Sequence, residues 1–440
     1  MIKLYYKSPI FIQHIMTSVY GLKLRHQRYN KIYRNFLDQY EKKKLNPENE
    51  LEKLLKHLKE NIEIYKNIDL NSSDNITTLK NLPITEKEDL RSELVTRSST
   101  IGKISTVKTG GTTGKSLKVY SNEYDKASRM AYLDYIKKLH GVKPFSRRAS
   151  FTGKEIIPEN HRNILWRQNF SMNQILYASF KMNKNNVSYI YNHLRKNKPL
   201  SIDGFPSSIH LVAKYILNKK IKIDWDVKAI FPTAERLTEN MKEDIENAFN
   251  TKVIDQYASS EGAPFIFTGL DGKYQLGNET GLFEFLKVSE NIYEIVVTSY
   301  LNYATPIIRY KIGDNVQINA NEEYLNSYDT QIDILTILGR NTDYLLGSEN
   351  NIVTSANMSN VIKDLEDKII QSQFIQKDKY TFEINIVAND NYNYKLDEKY
   401  IVDKLTHRLG KNNVYIFNYL MEVPKEKSGK TRFIINEMSV

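Results

Sequence analysis

The chain has 440 residues, a mass of 51.4 kDa, a formal net charge of +11, and no cysteine. The absence of cysteine excludes disulfides, thiolate metal sites and cysteine nucleophiles, and the length predicts two or more domains. Because the basic residues are spread along the chain and do not cluster with aromatic residues on one element, we expect no nucleic-acid function.

The first 28 residues are basic and aromatic, and Gln13 and His14 interrupt their apolar patches. No run of about 18 apolar residues occurs anywhere in the chain, which excludes a membrane-spanning helix. No small-residue cleavage site follows the patches, so we expect a cytoplasmic protein without a signal peptide. The segment could lie on a membrane surface, but the pattern favours a packed N-terminal helix, and no peripheral membrane contact is expected.

A helical pattern runs from about residue 24 to residue 65, within an N-terminal helical segment of about residues 1–80. Asn46 can cap a helix whose first residue is Pro47. Another helix start is predicted within LPITEKEDLR at 82–91, where Thr85 and Glu88 have the spacing of a capping box. The apolar residues after Pro47 recur at helical spacing and are predicted core positions: Leu51, Leu54, Leu55, Leu58, Ile62 and Tyr65.

A loop rich in glycine and threonine separates two β-like runs between Thr106 and Tyr120. Glycine lets backbone N–H groups approach an anion, and threonine hydroxyls and a lysine add donors and charge, so the loop suits a polyphosphate. It is not the P-loop of NTPases, because Thr109 stands where that motif needs glycine and a strand pattern follows instead of a helix. A plain hairpin turn is the alternative interpretation. The candidate phosphate-binding residues are Thr109, Gly110, Gly111, Thr112, Thr113, Gly114 and Lys115.

Strand and helix patterns alternate between residues 123 and 262, which predicts βαβ units with parallel strands. A helix is predicted over 123–139, and two later strands are predicted to end at Gly204 and Phe231. In such sheets ligands collect at the carboxyl ends of the strands. The loops after Phe231 and Tyr257 are therefore the candidate binding loops.

From Gly272 onward, shorter strands separated by Gly, Asn and Asp turns predict an antiparallel β-subdomain. Past Arg340 the pattern alternates again over enough residues for a small independent α+β domain. We therefore predict an α/β fold with a large N-terminal domain, residues 1–340, that combines βαβ layers with the β-subdomain. A small α+β C-terminal domain follows at residues 341–440.

Four further motifs follow the glycine–threonine loop: YASSEG at 257–262, RYKIGD at 309–314, ILGRNTD at 337–343 and PKEKSGKTR at 424–432. Taken singly, YASSEG reads as a helix cap, RYKIGD as a hairpin turn and PKEKSGKTR as a solvated basic tail. In order with TGGTTGKS they resemble the signature of the adenylate-forming superfamily, the acyl-CoA ligases and relatives that activate carboxylates with ATP. The segment at 82–91 is similar to one in the phenylacetate-CoA ligase branch, which includes CapK-like proteins of capsular polysaccharide clusters.

The resemblance implies roles for individual residues. Ser260 would contact the α-phosphate, Glu261 would ligate Mg²⁺, and Asp314 would accept hydrogen bonds from the ribose. Arg340 would lie near the nucleotide, and Lys430, at the end of a swivelling lid domain, would reach the carboxylate and the bridging oxygen during adenylation. Arg309 is interpreted as a structural ion-pair partner. The residues implied beside the adenine are Ala234, Glu235 and Tyr257.

The expected function is ATP-dependent activation of a carboxylic acid to an acyl-adenylate, followed by acyl transfer, most commonly to coenzyme A in this branch. The capsule-cluster members raise an alternative in which the amine of an amino sugar or amino acid accepts the acyl group. A degenerate nucleotide-binding partner protein is a further alternative, favoured by Ala258 and Thr342, which depart from the family pattern. The retained Lys430, Glu261 and Asp314 oppose it. The sequence predicts neither the acid nor the oligomeric state.

Overall fold

The computed structural model describes residues 2–438 apart from a set of internal segments. Those segments are 68–73, 92–103, 109–116, 155, 159–163, 235–236, 238, 290, 340–343, 349–351, 366–367 and 425–432. The predicted site residues that lie outside the described residues are Thr109, Gly110, Gly111, Thr112, Thr113, Gly114, Lys115, Glu235, Arg340 and Lys430.

Helices and strands are numbered along the described residues. The α-helices are α1 (Ile2–Lys7), α2 (Ile10–Arg28), α3 (Lys31–Glu41), α4 (Pro47–Asn61), α5 (Asn75–Lys80), α6 (Glu123–Leu139), α7 (Val187–Asn197), α8 (Pro206–Asn218), α9 (Glu239–Phe249), α10 (Ser355–Ile362) and α11 (Tyr394–Leu409). The strands to the end of the parallel sheet are β1 (Ser105–Lys108), β2 (Lys118–Ser121), β3 (Arg148–Thr152), β4 (Trp166–Asn169), β5 (Gln174–Ala178), β6 (Ser201–Gly204) and β7 (Ala229–Pro232). The later strands are β8 (Gln256–Tyr257), β9 (Ile266–Thr268), β10 (Tyr274–Leu276), β11 (Gly281–Ser289), β12 (Ile292–Ser299), β13 (Tyr310–Ile318), β14 (Tyr324–Asn326), β15 (Ile334–Gly339), β16 (Tyr344–Leu346), β17 (Ile352–Thr354), β18 (Ile369–Gln376), β19 (Thr381–Ala388), β20 (Val414–Tyr419) and β21 (Ile434–Asn436).

The N-terminal helices form as their caps and apolar spacing predict. The Asn46 side chain accepts a hydrogen bond from the Glu48 N–H at 2.8 Å, and Pro47 is the first residue of α4. The apolar face of α4 is buried against Tyr300 and Ile308 of the β-subdomain, which confirms the predicted core positions. None of the described helices is long and apolar enough to cross a bilayer.

The predicted capping box at Thr85 is wrong. The Thr85 hydroxyl donates to the Ile308 carbonyl at 2.7 Å, and the backbone of Thr85 forms a parallel bridge to Tyr310. Asp89, not Glu88, is the acidic residue of the turn, and its carboxylate accepts from the Glu86 N–H at 2.7 Å. Thr85 therefore fastens this segment to the start of β13, because a tertiary partner competes successfully for its hydroxyl.

The βαβ prediction is confirmed by a five-stranded sheet in the order β4-β5-β3-β6-β7. β5, β3, β6 and β7 pair in parallel, and only β4 runs antiparallel, at one edge. Gly204 ends β6 with φ +123°, and a Cβ there would collide with the Phe151 carbonyl oxygen at the end of β3. The strand ends therefore approach one another more closely than a side chain would allow.

The predicted antiparallel β-subdomain is a five-stranded sheet in the order β14-β11-β12-β13-β15. Beside it, β8, β9 and β10 form a short antiparallel sheet. The C-terminal part has a four-stranded sheet in the order β20-β19-β18-β21, with α10 and α11 packed on it. Its hydrophobic core draws its members from residues 345–434 alone. A domain boundary near residue 340 stays a prediction.

Candidate nucleotide site

The glycine–threonine loop joins two paired strands. β1 and β2 are antiparallel, with Lys108 opposite Lys118 at the base of the loop. A strand, not a helix, follows the loop, as the exclusion of a P-loop requires. The Tyr120 N–H in β2 donates to the hydroxyl of buried Thr305 at 2.8 Å. This bond attaches the base of the predicted phosphate loop to the segment that leads into RYKIGD.

Two candidate binding loops lie at the carboxyl ends of the strands in the parallel sheet. The Thr233 N–H, just after β7, donates to the Gly204 carbonyl at 2.9 Å, so this loop begins at the carboxyl end of β6. The chain then returns beside β7, where the Ile254 N–H donates to the Ile230 carbonyl at 2.8 Å in a parallel bridge. The loop after Tyr257 therefore begins at the same end of the sheet, the carboxyl end of its parallel strands. Ala234 is exposed there with φ +70°.

The loop of residues 258–263, which carries Ser260 and Glu261, has its backbone carbonyls anchored in the protein. Ser299 donates its hydroxyl to the Gly262 carbonyl at 2.6 Å, and Asn302 donates its amide to the Glu261 carbonyl at 3.2 Å. Gly262 has φ +107°, a conformation that glycine adopts without strain. Ser260 is exposed, whereas Glu261 is 8% exposed.

Arg129 of α6 holds the same loop from the other side. One guanidinium nitrogen donates to the Ser259 carbonyl at 2.8 Å and the other donates to the Ala263 carbonyl at 3.1 Å. The guanidinium also lies over the Phe265 ring. Burial lowers the pKa of Arg129 to about 10, against the opposite influence of the carboxylates of Glu261 and Asp125. Arg129 is therefore charged at neutral pH and clamps both ends of the Ser260–Glu261 turn.

Tyr257 and Asp314, which come from separate motifs, meet directly. The Tyr257 hydroxyl donates to an Asp314 carboxylate oxygen at 2.8 Å. Between Lys311 and Asn315, β13 bulges: Ile312, Gly313 and Asp314 face a single residue of β12, and Gly313 has φ +81°. The predicted glycine turn is thus a bulge within a strand and not a hairpin turn. Bulges commonly redirect a side chain next to a functional site.

A line of buried hydrogen bonds connects three motif segments. Thr305 accepts from Tyr120 and donates its N–H to the Asn302 side chain at 3.2 Å, and Asn302 donates to Glu261. Thr305 is fully buried and Asn302 is 3% exposed. The phosphate-loop hairpin, the Glu261 loop and the RYKIGD segment therefore form one connected unit.

The donor set suits Mg²⁺ held by few protein ligands. Among the described residues, no group of three or more His, Asp or Glu side chains is placed to hold a metal ion. Glu261 contributes one carboxylate. Mg²⁺ commonly keeps several waters and binds through one or two carboxylates together with substrate phosphates, so the carboxylate of Glu261 would suit this ion.

Sequence reasoning missed the residues that position the site: Arg129, Ser299, Asn302 and Thr305. Arg129 belongs to no motif, and nothing in the sequence distinguishes it from the other charged residues of α6. Thr305 belongs to the quoted TPIIRYKIGD stretch, but its bond to Tyr120 joins residues 185 positions apart. No local pattern carries that information.

Arg129→Gln is expected to lower kcat about tenfold or more, with a smaller change in KM for ATP, because the turn carrying Ser260 and Glu261 loses two charge-assisted anchors. Arg129→Lys, which keeps the charge but not the forked geometry, is expected to recover only part of kcat. Steady-state kinetics on both variants check this. A pure loss of stability with unchanged kcat in the folded fraction would contradict a positioning role.

Comparisons with known proteins identify the family and the fold of the chain. Residues 345–437 match the family model described as the CapK C-terminal domain. Over 99% of its length the chain is 36% identical to Protein CapK of Staphylococcus aureus, of which it covers 99%. Among solved structures, a 2-hydroxyisobutyryl-CoA ligase in complex with 2-HIB-AMP and CoA has a TM-score of 0.52 at 14% identity, covering 89% of this chain and 88% of that one. The last similarity places the fold among those of adenylate-forming ligases.

Proposed function

Because the chain belongs to the CapK family, we propose that it activates a carboxylic acid with MgATP to an acyl-adenylate and then transfers the acyl group, with coenzyme A as the acceptor. The fold that it shares with a CoA ligase in complex with an adenylate and CoA supports the reaction class. At 14% identity, the similarity to that ligase supports a shared fold but not a shared substrate.

The observation that carries the proposal is the junction of Tyr257 with Asp314. Their hydrogen bond at 2.8 Å brings the implied adenine neighbour and the implied ribose acceptor together from two separate sheets. The buried line from Tyr120 to Glu261 ties both to the base of the glycine–threonine loop. A nucleotide that binds across these loops would contact both motifs.

In the proposed reaction the chain contributes positioning and electrostatics. The glycine–threonine loop binds the phosphates, Ser260 donates to the α-phosphate, and Asp314 accepts from the ribose hydroxyls. Bound Mg²⁺, held by Glu261, would neutralise phosphate charge. Lys430 stabilises the charge that develops as the carboxylate attacks the α-phosphorus. We further propose that residues 341–440 move as a lid, hinged near Arg340, and withdraw Lys430 before acyl transfer.

The acceptor is tested by product analysis. The purified protein is given MgATP, a panel of aryl, fatty, hydroxy and amino acids, and either CoA or an amino sugar, and the products are identified by mass spectrometry. AMP, pyrophosphate and an acyl-CoA thioester are expected. An amide formed without CoA would assign the amine acceptor suggested by the resemblance to capsule-cluster proteins. Nucleotide binding without turnover on any acid would contradict the enzyme proposal and favour a degenerate partner protein.

Tyr257→Phe is expected to raise KM for ATP about tenfold with little change in kcat, because a hydrogen bond to a carboxylate that orients Asp314 is lost. Tyr274→Phe is the matched control, since Tyr274 lies in the same short sheet as Tyr257 and donates to the Asp255 carboxylate at 2.6 Å. Initial rates at varied ATP separate the two variants. Equal changes in KM for both would contradict the assignment of Asp314 to the nucleotide.

A further inference from the structure

Helix α2 is attached to the protein through its polar face. Gln13 is fully buried and accepts from the Arg167 guanidinium at 2.7 Å, and His14 accepts from the Gln168 N–H at 3.0 Å. One turn further, the Ser18 hydroxyl accepts from the Phe170 N–H at 3.0 Å. These partners lie on or directly after β4, the edge strand of the parallel sheet. In an ordinary surface helix the polar face contacts water. In α2 the polar face packs against the protein instead.

The apolar face of α2 is left exposed. Large apolar side chains recur at helical spacing along it: Phe11 is 62% exposed, Ile15 51%, Val19 63% and Leu22 59%. Phe170, beside Ser18, is 68% exposed, and Leu4 of α1 is 66% exposed. Single exposed apolar residues are normal, but a continuous stripe marks an interaction surface. We name these six residues the α2 patch.

The charged residues on α1 and α2, the helices of the α2 patch, are all basic. The first acidic residue of the chain is Asp38, so α1 and α2 contain none. Lys7, Lys23 and His26 are exposed on the helices that carry the patch. A second copy of this chain would bring a like-charged surface against this one, which disfavours self-association through the patch. An anionic surface is complementary to it.

We propose that the α2 patch binds the surface of an anionic lipid bilayer, with α2 lying in the plane of the interface. An apolar stripe flanked by lysine and lacking acidic residues is the pattern of interfacial helices, whose apolar side enters the headgroup region while cations contact anionic lipid. The 19 residues of α2 do not span the membrane. The packed helix and the membrane-facing helix expected as alternatives are compatible, because α2 packs through one face and exposes the other.

The location of the patch leaves the candidate nucleotide site open. α2 covers β4, at the edge of the sheet opposite β7, whereas the candidate binding loops follow β7 and Tyr257. Membrane binding through α2 is therefore compatible with an accessible site and does not depend on the proposed reaction.

The test is cosedimentation of the full chain with vesicles of phosphatidylcholine alone or mixed with phosphatidylglycerol. The wild type is expected to bind the mixed vesicles, more weakly as salt is raised, and to bind neutral vesicles less. The variant Phe11→Gln/Ile15→Gln/Val19→Gln/Leu22→Gln is expected to lose about tenfold or more in vesicle affinity, because its apolar contacts with the acyl region are removed. Its melting temperature is expected to stay near that of the wild type, since these side chains have few contacts within the protein.

A matched variant replaces four equally exposed apolar residues elsewhere by glutamine: Leu270, Val288, Leu396 and Val414. This variant is expected to bind vesicles as the wild type does. The proposal is overturned if the wild type fails to bind the anionic vesicles at low salt, or if both variants lose the same affinity. It is also overturned if the wild type is a dimer by light scattering that the α2 variant dissociates, because a second copy then occupies the patch.

Discussion

Lys430→Ala is expected to slow acyl-adenylate formation about 10²–10³-fold, the size of effect seen when one charge-stabilising group is removed from a transition state. The physical reason is that the ammonium offsets the charge developing between the attacking carboxylate and the departing pyrophosphate. If the lid withdraws this lysine after the first step, acyl transfer from a chemically prepared acyl-adenylate is expected to proceed at the wild-type rate. Single-turnover measurements of each half-reaction check both statements.

Lys427→Ala is the matched control, because Lys427 belongs to the same basic segment three residues earlier. It is expected to leave both half-reactions close to wild type. Equal losses in the two lysine variants would assign the effect to the net charge of the segment. An equal loss of both half-reactions in Lys430→Ala would contradict the proposed withdrawal of the lid.

Arg309→Ala is expected to lower the free energy of unfolding by about 3–5 kcal/mol, because it leaves a buried carboxylate without its cationic partner. The Arg309 guanidinium binds both carboxylate oxygens of Glu284, with the shortest contact at 2.8 Å, and the Glu284 side chain is 2% exposed. The same guanidinium donates to the carbonyls of Lys80 and Leu82, at 2.7 and 2.6 Å. Arg309 therefore fastens the N-terminal helical segment to the β-subdomain. Urea unfolding followed by circular dichroism measures the loss.

The exposed ion pair of Arg195 and Asp224 provides the control. Its side chains are 58% and 46% exposed, and exposed pairs contribute about 0–1 kcal/mol. Arg195→Ala is therefore expected to change stability little. In Arg309→Met/Glu284→Leu, which removes both charges, stability is expected to recover partly relative to Arg309→Ala. Similar losses for Arg309→Ala and Arg195→Ala would contradict the structural role given to Arg309.

The sequence predicted elements wherever local chemistry and tertiary packing agree. Asn46 and Pro47 begin α4, and α6 spans 123–139 as predicted. The strand after the glycine–threonine loop was predictable too, because the alternation after Ser116 suits a strand and not a helix. The site motifs were visible for the same reason: each is a short local run of residues.

Prediction failed where a distant partner decides the outcome. Thr85 has the spacing of a capping box, but its hydroxyl donates a hydrogen bond to the Ile308 carbonyl instead of capping a helix. β18 contains buried Ser372, Gln373 and Gln376, which hide its hydrophobic pattern, and Gln376 is satisfied by the backbone of Leu346. A polar side chain buried with a long-range partner looks like a surface residue in the sequence.

The anchors of the candidate site belong to the same class. Arg129 and Asn302 act on backbone carbonyls far along the chain, so no spacing rule identifies them. The orientation of α2 is a comparable case. Its sequence contains both polar and apolar residues at helical spacing, and only the partners Arg167 and Gln168 determine which face is buried.

The most direct test of the central claim is acid-dependent exchange of labelled pyrophosphate into ATP, measured without any acceptor across the acid panel. Exchange requires reversible formation of an acyl-adenylate and nothing later in the reaction. We expect exchange that depends on one class of carboxylic acid and on Mg²⁺, and that falls to background in Lys430→Ala. Absence of exchange with every acid, in a protein that still binds ATP, would contradict the assignment of this chain as an adenylating enzyme.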